Sequence, residues 1–576
     1  SWLEEFLPLG DIEAERIAEV LSLRSVEACV SVFGIKLEGV VVGEILEVRR
    51  KRDFWVVEVS VGKGARVSVV TKDGTLSEGE RVVVALPGAR VGEREITKGV
   101  LLSAQELGLE DAEEGVLRVD EPCEIGADVS PLLGFGEKVI ELDVTPNRGD
   151  VLSVRGLARE LSALLDLSRK DTENPSFREC GYIEVKVEGE GCWRYRGAVL
   201  EGVKVSASPL KVRRRLWQCG IKSINNVVDI TNYILLQEGQ PLHAFDLDKI
   251  EGGVRVRDSV EGERIKTLDG NDVELGEGVL VIADEKGPIA IAGIVGGYRS
   301  AVGRDTDKIL LEAAYFEPSK VRKGTKRTGI YTESSYRFER NVDIERLSFA
   351  QDTAISMLIE ITGARLVALR DLRVKKYEPR KVFLSWGKYE RYTGERLREE
   401  EVRKVLGALE IPHRIKECGV EVFVPPHRSF DMHGDADVIE ELLRVKGYDT
   451  VKPEPPRLPA KGQLRKDGTW EVRRFLRDKG LEEVITLPYE DGELYELLHM
   501  EKPSLEILNP LVPSQRYMRS SLIPSLLKVA LFNMSHYNHD VGIFEIGKVF
   551  SEKGEEERIG LLLNGKLRDF PHVKWD

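Results

Sequence analysis

Glu141-Leu-Asp-Val-Thr-Pro-Asn-Arg-Gly-Asp150 runs directly into Val151-Leu-Ser-Val-Arg-Gly-Leu-Ala-Arg-Glu160. The first half alternates and then meets Pro146-Asn147, a turn signal. The second half is helical in pattern, with Leu152, Leu157, Leu161 and Leu164 as a candidate buried stripe. Asn147 or Asp150 is the candidate cap, since both side chains accept from free helix N–H groups. A turn into a helix is all that this stretch requires by itself, so its neighbours must decide what it belongs to.

The chain has 576 residues, 41% hydrophobic and 32% charged, which fits several core-forming domains. No apolar run reaches the roughly 18 residues of a membrane span. The acidic opening Ser1-Trp-Leu-Glu-Glu-Phe6 is no signal peptide, and the missing initiator Met suggests an incomplete or processed start. Six scattered cysteines without a Cys-x-x-Cys pair point to a reducing, cytoplasmic setting. The net charge of -14 argues against general nucleic-acid binding, so any such contact needs local basic patches. Three exist: Arg49-Arg50-Lys51-Arg52; Lys204 with Lys211, Arg213, Arg214, Arg215 and Lys222; and Lys320 with Arg322, Lys323, Lys326 and Arg327. Each is either a solvated face or a phosphate-neutralising one.

Residues 1–38 read as helices, with Leu3, Phe6, Leu7, Ile17, Val20 and Leu21 at helical spacing. From Val40 short β-branched runs follow, punctuated by glycines, which suggest a small barrel. Residues 151–190 return to a helix and then strand character. The barrel is therefore expected as an insertion at 39–150 within an α+β domain of 1–38 and 151–194. A mixed α/β block covers 195–375 and a small α+β module 376–455. The Pro-rich Lys452–Pro459 reads as a linker to a last domain at 462–576.

Five further blocks carry a resemblance. They are Ser223-Ile-Asn-Asn-Val-Val-Asp-Ile-Thr-Asn-Tyr233, Glu238-Gly-Gln-Pro-Leu-His-Ala-Phe-Asp246, Ile289-Ala-Ile-Ala-Gly-Ile-Val-Gly-Gly297, Leu310-Leu-Glu-Ala-Ala-Tyr-Phe316 and Tyr331-Thr-Glu-Ser-Ser-Tyr-Arg-Phe-Glu-Arg340. Together with the opening stretch they resemble the β subunit of bacterial phenylalanyl-tRNA synthetase. The resemblance implies an inserted OB-fold tRNA-binding domain, a B3/B4-like editing domain, a B5-like module and a class II synthetase-like antiparallel-sheet domain. That last domain would be non-catalytic and C-terminally incomplete. Ile96–Leu109 is similar to the tRNA-binding OB module, with Val100-Leu-Leu-Ser103 in place of Met-Leu-Cys-Ser. Arg49, Arg50, Lys51, Arg52 and Ser103 are the tRNA-binding candidates.

By the same resemblance, His243 and Glu312 contact a mischarged tyrosyl group, and Thr231, Asn232, Gly293, Thr332 and Ser334 line the pocket. The chemistry calls for such a site. A phenylalanine pocket rejects tyrosine poorly, because tyrosine merely adds a hydroxyl. A second, hydrolytic site must read that hydroxyl, and an ionised Glu312 is a strong acceptor. A structural carboxylate paired with an arginine is the other reading of Glu312. Glycines 293, 296 and 297 are expected to let backbone N–H groups approach the ester. With no cysteine or serine standing out as nucleophile, attack by a positioned water is expected. Ser334 replaces an alanine of some relatives, and Asn341 replaces the usual glycine in a turn that Asn still tolerates.

Asp437, Glu440 and Glu441 share one helix face, with Asp431 just upstream. The resemblance implies an Mg²⁺ site there, shared with an α subunit; a solvated acidic face balanced by Arg444 or Lys446 is the alternative. Leu508–Leu522 and Val541–Phe550 look like a synthetase core without an ATP-binding constellation; only Arg519 and Glu545 stand out. The expected protein is a phenylalanine–tRNA ligase β subunit. It would support ATP-dependent charging by its α partner in an α2β2 tetramer, bind tRNA(Phe), hydrolyse Tyr-tRNA(Phe) and stay off membranes. A non-editing scaffold paralogue and a free-standing aminoacyl-tRNA hydrolase are the rivals.

Overall fold

The computed structural model describes residues 1–112, 115–170, 175–453, 455 and 468–565. It divides into two compact units, Ser1–Pro453 and Glu454–Asp576. The expected linker falls largely outside the described residues.

In the first unit, α1 (Ala14–Arg24) buries Ile17, Val20 and Leu21 as their spacing predicts. The expected helix around Leu3 is only a 3-10 turn, Leu3–Glu5, and an unforeseen strand β1 (Glu27–Val32) follows α1. A curled six-stranded sheet comes next. Its strands are β2 (Leu37–Lys51), β3 (Phe54–Ser60), β4 (Arg66–Thr71), β5 (Arg81–Val91), β6 (Arg94–Ile96) and β7 (Val100–Leu101), in the order β4-β3-β2-β5-β6 with β7 also on β5. The 15-residue β2 pairs with β5 through its first half and β3 through its second, which forces the sheet to bend. After a short helix α2 (Ser130–Leu133), β8 (Lys138–Asp143) pairs antiparallel with β1, Glu27 opposite Asp143. The two ends of the excursion are thus joined by a two-stranded ribbon. β8 belongs to that ribbon and not to the six-stranded sheet, although it lies inside the expected 39–150 insertion.

The helix of the opening stretch is α3 (Val154–Leu165). Its cap is Ser153, whose Oγ accepts from the Gly156 N–H at 3.0 Å. Neither Asn147 nor Asp150 caps it: Asn147 accepts from the Thr145 hydroxyl, and Asp150 is bound by Arg148. Both are too far upstream of the first helical N–H groups to reach them.

The next block stacks two sheets and a helical layer. Along the chain come β9 (Val185–Val187), β10 (Cys192–Glu201), α4 (Leu210–Gln218), α5 (Asn226–Glu238), β11 (Leu242–Asp246), β12 (Val254–Asp258), β13 (Arg264–Lys266), β14 (Asp272–Glu274), β15 (Leu280–Asp284), β16 (Gly287–Ile291) and β17 (Val295–Gly296). Then follow β18 (Lys308–Phe316), α6 (Pro318–Thr328), α7 (Glu333–Phe338), α8 (Leu347–Thr362) and β19 (Arg365–Arg373). A four-stranded sheet, β11-β18-β10-β19, carries α5 and α8 on one face through Ala198, Leu200, Ile309, Leu311, Ile230, Ile234, Ala354 and Leu358. Its other face packs on a five-stranded sheet, β17-β16-β15-β12-β9, through Tyr195, Leu310, Val281 and Ile289. Strands buried on both faces explain the nearly continuous apolar runs at 280–283 and 309–316.

A smaller module ends the unit. β20 (Lys381–Ser385), α9 (Trp386–Thr393), α10 (Glu399–Ala408), β21 (His413–Lys416), β22 (Gly419–Phe423) and α11 (Asp435–Lys446) enclose one core, with strand order β20-β22-β21. Asn341 joins it to the block before. Its φ is 71°, the left-handed backbone for which Asn is tolerated. Its side chain accepts from the Tyr315 hydroxyl and donates to Pro426 O and Ser429 Oγ, which glycine cannot do.

The second unit contains α12 (Gly468–Asp478), β23 (Glu482–Glu483), β24 (Tyr489–Glu490), α13 (Gly492–Leu497), β25 (Tyr517–Met518), α14 (Ile523–Ser535), β26 (Val541–Ser551) and β27 (Gly554–Asn564). β26 and β27 form a long antiparallel pair, with β23 parallel to β26, so the expected all-antiparallel sheet is mixed. Residues 566–576 of the expected last domain lie outside the described residues.

Candidate active site

Asp229 fixes the start of the helix that walls the candidate cavity. Buried in α5, it accepts from the hydroxyls of Ser208 and Ser223, both at 2.6 Å, and from the Ile224 N–H at 2.7 Å. Asn225 then caps α5 by accepting from Val227 and Val228 N–H. Pinned so, α5 presents Val228, Thr231, Asn232 and Leu235, one helical face, to a cavity of about 490 Å³. The other walls come from β11 (Leu242, His243), β18 (Glu312), the 293–296 segment, Leu268, Val302 and α7 with its cap (Thr332, Ser334, Phe338).

The structure brings all seven expected pocket residues to this cavity: His243, Glu312, Thr231, Asn232, Gly293, Thr332 and Ser334. Their side chains are not equally free. Thr231 donates to Val228 O, and the Thr332 hydroxyl accepts from Ser335 N–H while donating to Ile294 O. Both hydroxyls shape the wall. The side chains of Asn232, His243, Glu312 and Ser334 have no hydrogen bond among the described residues.

His243 and Glu312 are direct cross-strand neighbours. Glu312 is buried, and its Oε2 has no hydrogen-bond partner. No arginine among the described residues pairs with it, so the structural ion-pair reading fails. Burial alone pushes its carboxyl up to about 8, which leaves it mostly neutral at pH 7 rather than ionised as expected. Burial also pushes His243 down to about 4, so its imidazole is neutral. Phe245 meets the ring edge-on, with centroids 4.5 Å apart. A Cβ on Gly296 would stand 2.4 Å from His243 Cε1; this glycine makes room for the imidazole. Gly297 N–H already donates to Ile289 O, so it is not available to an ester. Gly293 adopts φ 70°, packed so closely that a Cβ would meet Phe338 at 2.9 Å. Leu268, Val302 and Asp229 escaped the sequence reading; the only signal for Asp229 was an acid inside an otherwise apolar helix turn.

A second polar cluster explains the opening stretch. Arg148 binds Asp150 at 2.9 Å and Glu160 at 3.0 Å. Glu160 also binds Arg444, Arg444 binds Glu441, Glu441 binds Arg428 at 2.7 Å, and Arg428 binds Asp431 at 2.7 Å. The result is an alternating, buried chain of four acids and three arginines that clamps α3 to α11. These arginines hold Glu441 well below the usual carboxylate range against the opposing effect of burial. This corrects the expected cation set. Glu441 and Asp431 commit their oxygens to guanidinium groups, and Asp437 accepts from the N–H groups of His433 and Gly434. Glu440 alone of the four is exposed and uncommitted, and no group of three or more His, Cys, Asp or Glu side chains among the described residues is disposed to hold a metal. The four residues as placed do not fit an Mg²⁺ ion, because arginines occupy the charge it would need.

Family models match three parts of the chain: a B3/4 domain at 191–363, a tRNA synthetase B5 domain at 382–448, and a phenylalanyl tRNA synthetase beta chain CLM domain at 430–574. The phenylalanine–tRNA ligase beta subunit of Aquifex aeolicus is 54% identical over 589 aligned residues, covering 100% of this chain and 76% of the relative. The chain belongs to the phenylalanine–tRNA ligase β-subunit family. The Carboxydothermus hydrogenoformans β subunit is 37% identical over 96% of this chain and 73% of its own length, and that of Thermotoga maritima 34% over 98% and 74%. A solved N-terminal β-subunit fragment from Pyrococcus horikoshii overlays with TM-score 0.31 and 15% identity over 54% of this chain and 87% of that one, too loosely to bear on the fold.

Other expected features of this β-subunit chain fall into place unevenly. Arg49, Arg50 and Lys51 end β2 and Arg52 stands in the turn to β3; Arg49 pairs with Glu47 and Arg50 lies over Trp55. Ser103 is engaged locally, its N–H and hydroxyl both donating to Glu106. The second basic patch is mostly structural: Arg213 is buried on Asp111, and Arg215 on Glu5 and Tyr233. Arg519 and Glu545 bind each other at 2.8 Å and serve packing. All six cysteines are free, and no helix among the described residues is long and apolar enough to cross a membrane.

Proposed function

We propose that this chain edits: the cavity between α5, β11, β18 and α7 hydrolyses Tyr-tRNA(Phe), while an α subunit carries ATP-dependent charging in an α2β2 assembly. The observation that carries the reading is Glu312, a buried, unpaired carboxyl directly opposite His243 in a cavity of ligand size. A carboxyl left unsatisfied in an apolar wall is costly unless a ligand completes it.

The neutral carboxyl offers both a carbonyl acceptor and an O–H donor, and a phenol hydroxyl satisfies either. Phenylalanine satisfies neither and leaves Glu312 orphaned. Neutral His243, beside Glu312, and Asn232 are the other side chains free to hydrogen-bond the substrate. Ser334 has no base hydrogen-bonded to it among the described residues, so the geometry favours attack by water held at the ester over an acyl-enzyme.

The test is the Tyr-to-Phe ratio of deacylation rates in the assembled enzyme. Glu312→Ala should lower Tyr-tRNA hydrolysis by about five- to a hundredfold and leave Phe-tRNA hydrolysis little changed, since a buried phenol hydroxyl left without its partner costs roughly 1–3 kcal/mol. Equal losses on both substrates would reduce Glu312 to a fold-supporting residue.

A further inference from the structure

The ribbon that forms one lip of the cavity continues beyond it. Thr267 bridges Gly297 antiparallel, and Leu268 N–H donates to Gly296 O. Lys266 therefore lies opposite Tyr298, and Leu268 opposite Gly296. Alternation puts these two cross-strand pairs on the same face of the ribbon. Leu268 and Gly296 line the cavity. Lys266 and Tyr298 thus extend the same surface outward by one strand repeat, about 7 Å.

This outer pair is built unlike ordinary surface. Tyr298 is 59% exposed, and Lys266 Nζ sits 4.8 Å from its ring centroid. The acids on the neighbouring hairpin are otherwise engaged: Asp272 and Glu274 with Arg264, Asp269 with Thr267 and Asn271. Lys266 makes no ion pair among the described residues. Leu268, 45% exposed, bridges the platform to the cavity interior. Exposed Lys222 directly precedes the Ser223–Asn225 segment, whose Ile224 and Asn225 line the cavity, and Lys204 is likewise exposed and outside any ion pair among the described residues. An open aromatic face backed by a cation, beside the mouth of a cavity, is the arrangement that binds single-stranded nucleic acid.

We infer that Tyr298 and Lys266 form a stacking platform for the nucleotide next to the terminal adenosine of the aminoacylated tRNA 3′ end. The ring carries the base, and Lys266 orders the ring and neutralises the adjoining phosphate. The inference rests on the editing reading for the position of the terminal adenosine. It adds a specificity element: the site distinguishes a charged RNA end from free aminoacyl-adenosine.

The assembled enzyme is titrated with two non-hydrolysable amide-linked probes, tyrosyl-adenosine and tyrosyl-CCA trinucleotide. Wild type should bind the trinucleotide more tightly. Tyr298→Ala should weaken trinucleotide binding by about five- to a hundredfold, the equivalent of about 1–3 kcal/mol for one stacked base, and leave tyrosyl-adenosine unchanged. Tyr298→Phe should bind like wild type, and Lys266→Ala should flatten the salt dependence of trinucleotide binding. Equal weakening for both probes, or none for either, overturns the platform. Hydrolysis of Tyr-tRNA is scored separately. Wild type that binds the trinucleotide through Tyr298 but hydrolyses nothing would sink the editing reading and keep the platform.

Discussion

Replacing Glu312 with Gln isolates the physical state of the carboxyl. The folded carboxyl titrates at about 8, against an ordinary value of 4.5. The folded state thus holds a proton that the unfolded state releases between those values, and stability falls as pH rises through that window. One pK unit is worth roughly 1.4 kcal/mol, so Glu312 costs about 3 kcal/mol at pH 7 and about 5 kcal/mol above pH 8. The Glu312→Gln substitution keeps the shape and the carbonyl acceptor but removes the titration. The variant should match wild type near pH 4.5 and exceed it progressively toward pH 8. His243 titrates in both proteins and cancels from the difference. Thermal unfolding, or hydrogen exchange of the β11–β18 amides, at about pH 5, 7 and 8.5 reads the effect. Activity supplies the second arm: because a neutral carboxyl and an amide both present a carbonyl acceptor, Glu312→Gln should retain most Tyr-tRNA hydrolysis that Glu312→Ala loses. A stability difference flat with pH, together with a Gln variant as inactive as Ala, would mean that Glu312 is ionised and the argument from burial is wrong.

Other consequences follow from the same packing. Gly296→Ala puts a methyl within 2.5 Å of the His243 ring, so Tyr-tRNA hydrolysis should fall at least about tenfold, with unfolding free energy lowered by about 1–3 kcal/mol. Glu441→Ala removes one of the two carboxylates that each of the buried Arg428 and Arg444 binds and should cost about 3–5 kcal/mol in denaturant titration, whereas a chelator should leave the melting of the wild-type chain unmoved. Asn341→Gly keeps the left-handed backbone but removes three hydrogen bonds, and a loss of about 1–3 kcal/mol in unfolding free energy would match them.

Features legible in the chain alone were local and periodic. The spacing of Ile17, Val20 and Leu21 specified α1, and the β-branched runs from Val40 specified β2 to β4, because backbone hydrogen bonding in each element imposes its own period on the side chains. The order of motifs identified seven of the residues that line the cavity. Asn341 was legible as a left-handed residue because few side chains tolerate that conformation. Whatever depends on partners far along the chain was settled by packing in three dimensions. Asp437, Glu440 and Glu441 share a helix face, as i, i+3 and i+4 spacing requires. Yet Glu441 points at Arg428 and Arg444, and Arg444 meets a Glu160 that lies 284 residues away. Spacing reveals which side chains travel together; it does not reveal whether a cation, water or an arginine awaits them. The same holds for Glu312. Its place in an apolar run was visible, but its charge state was not, because a carboxyl's proton affinity is set by what surrounds it in space, and burial without a paired cation among the described residues is what raises it here.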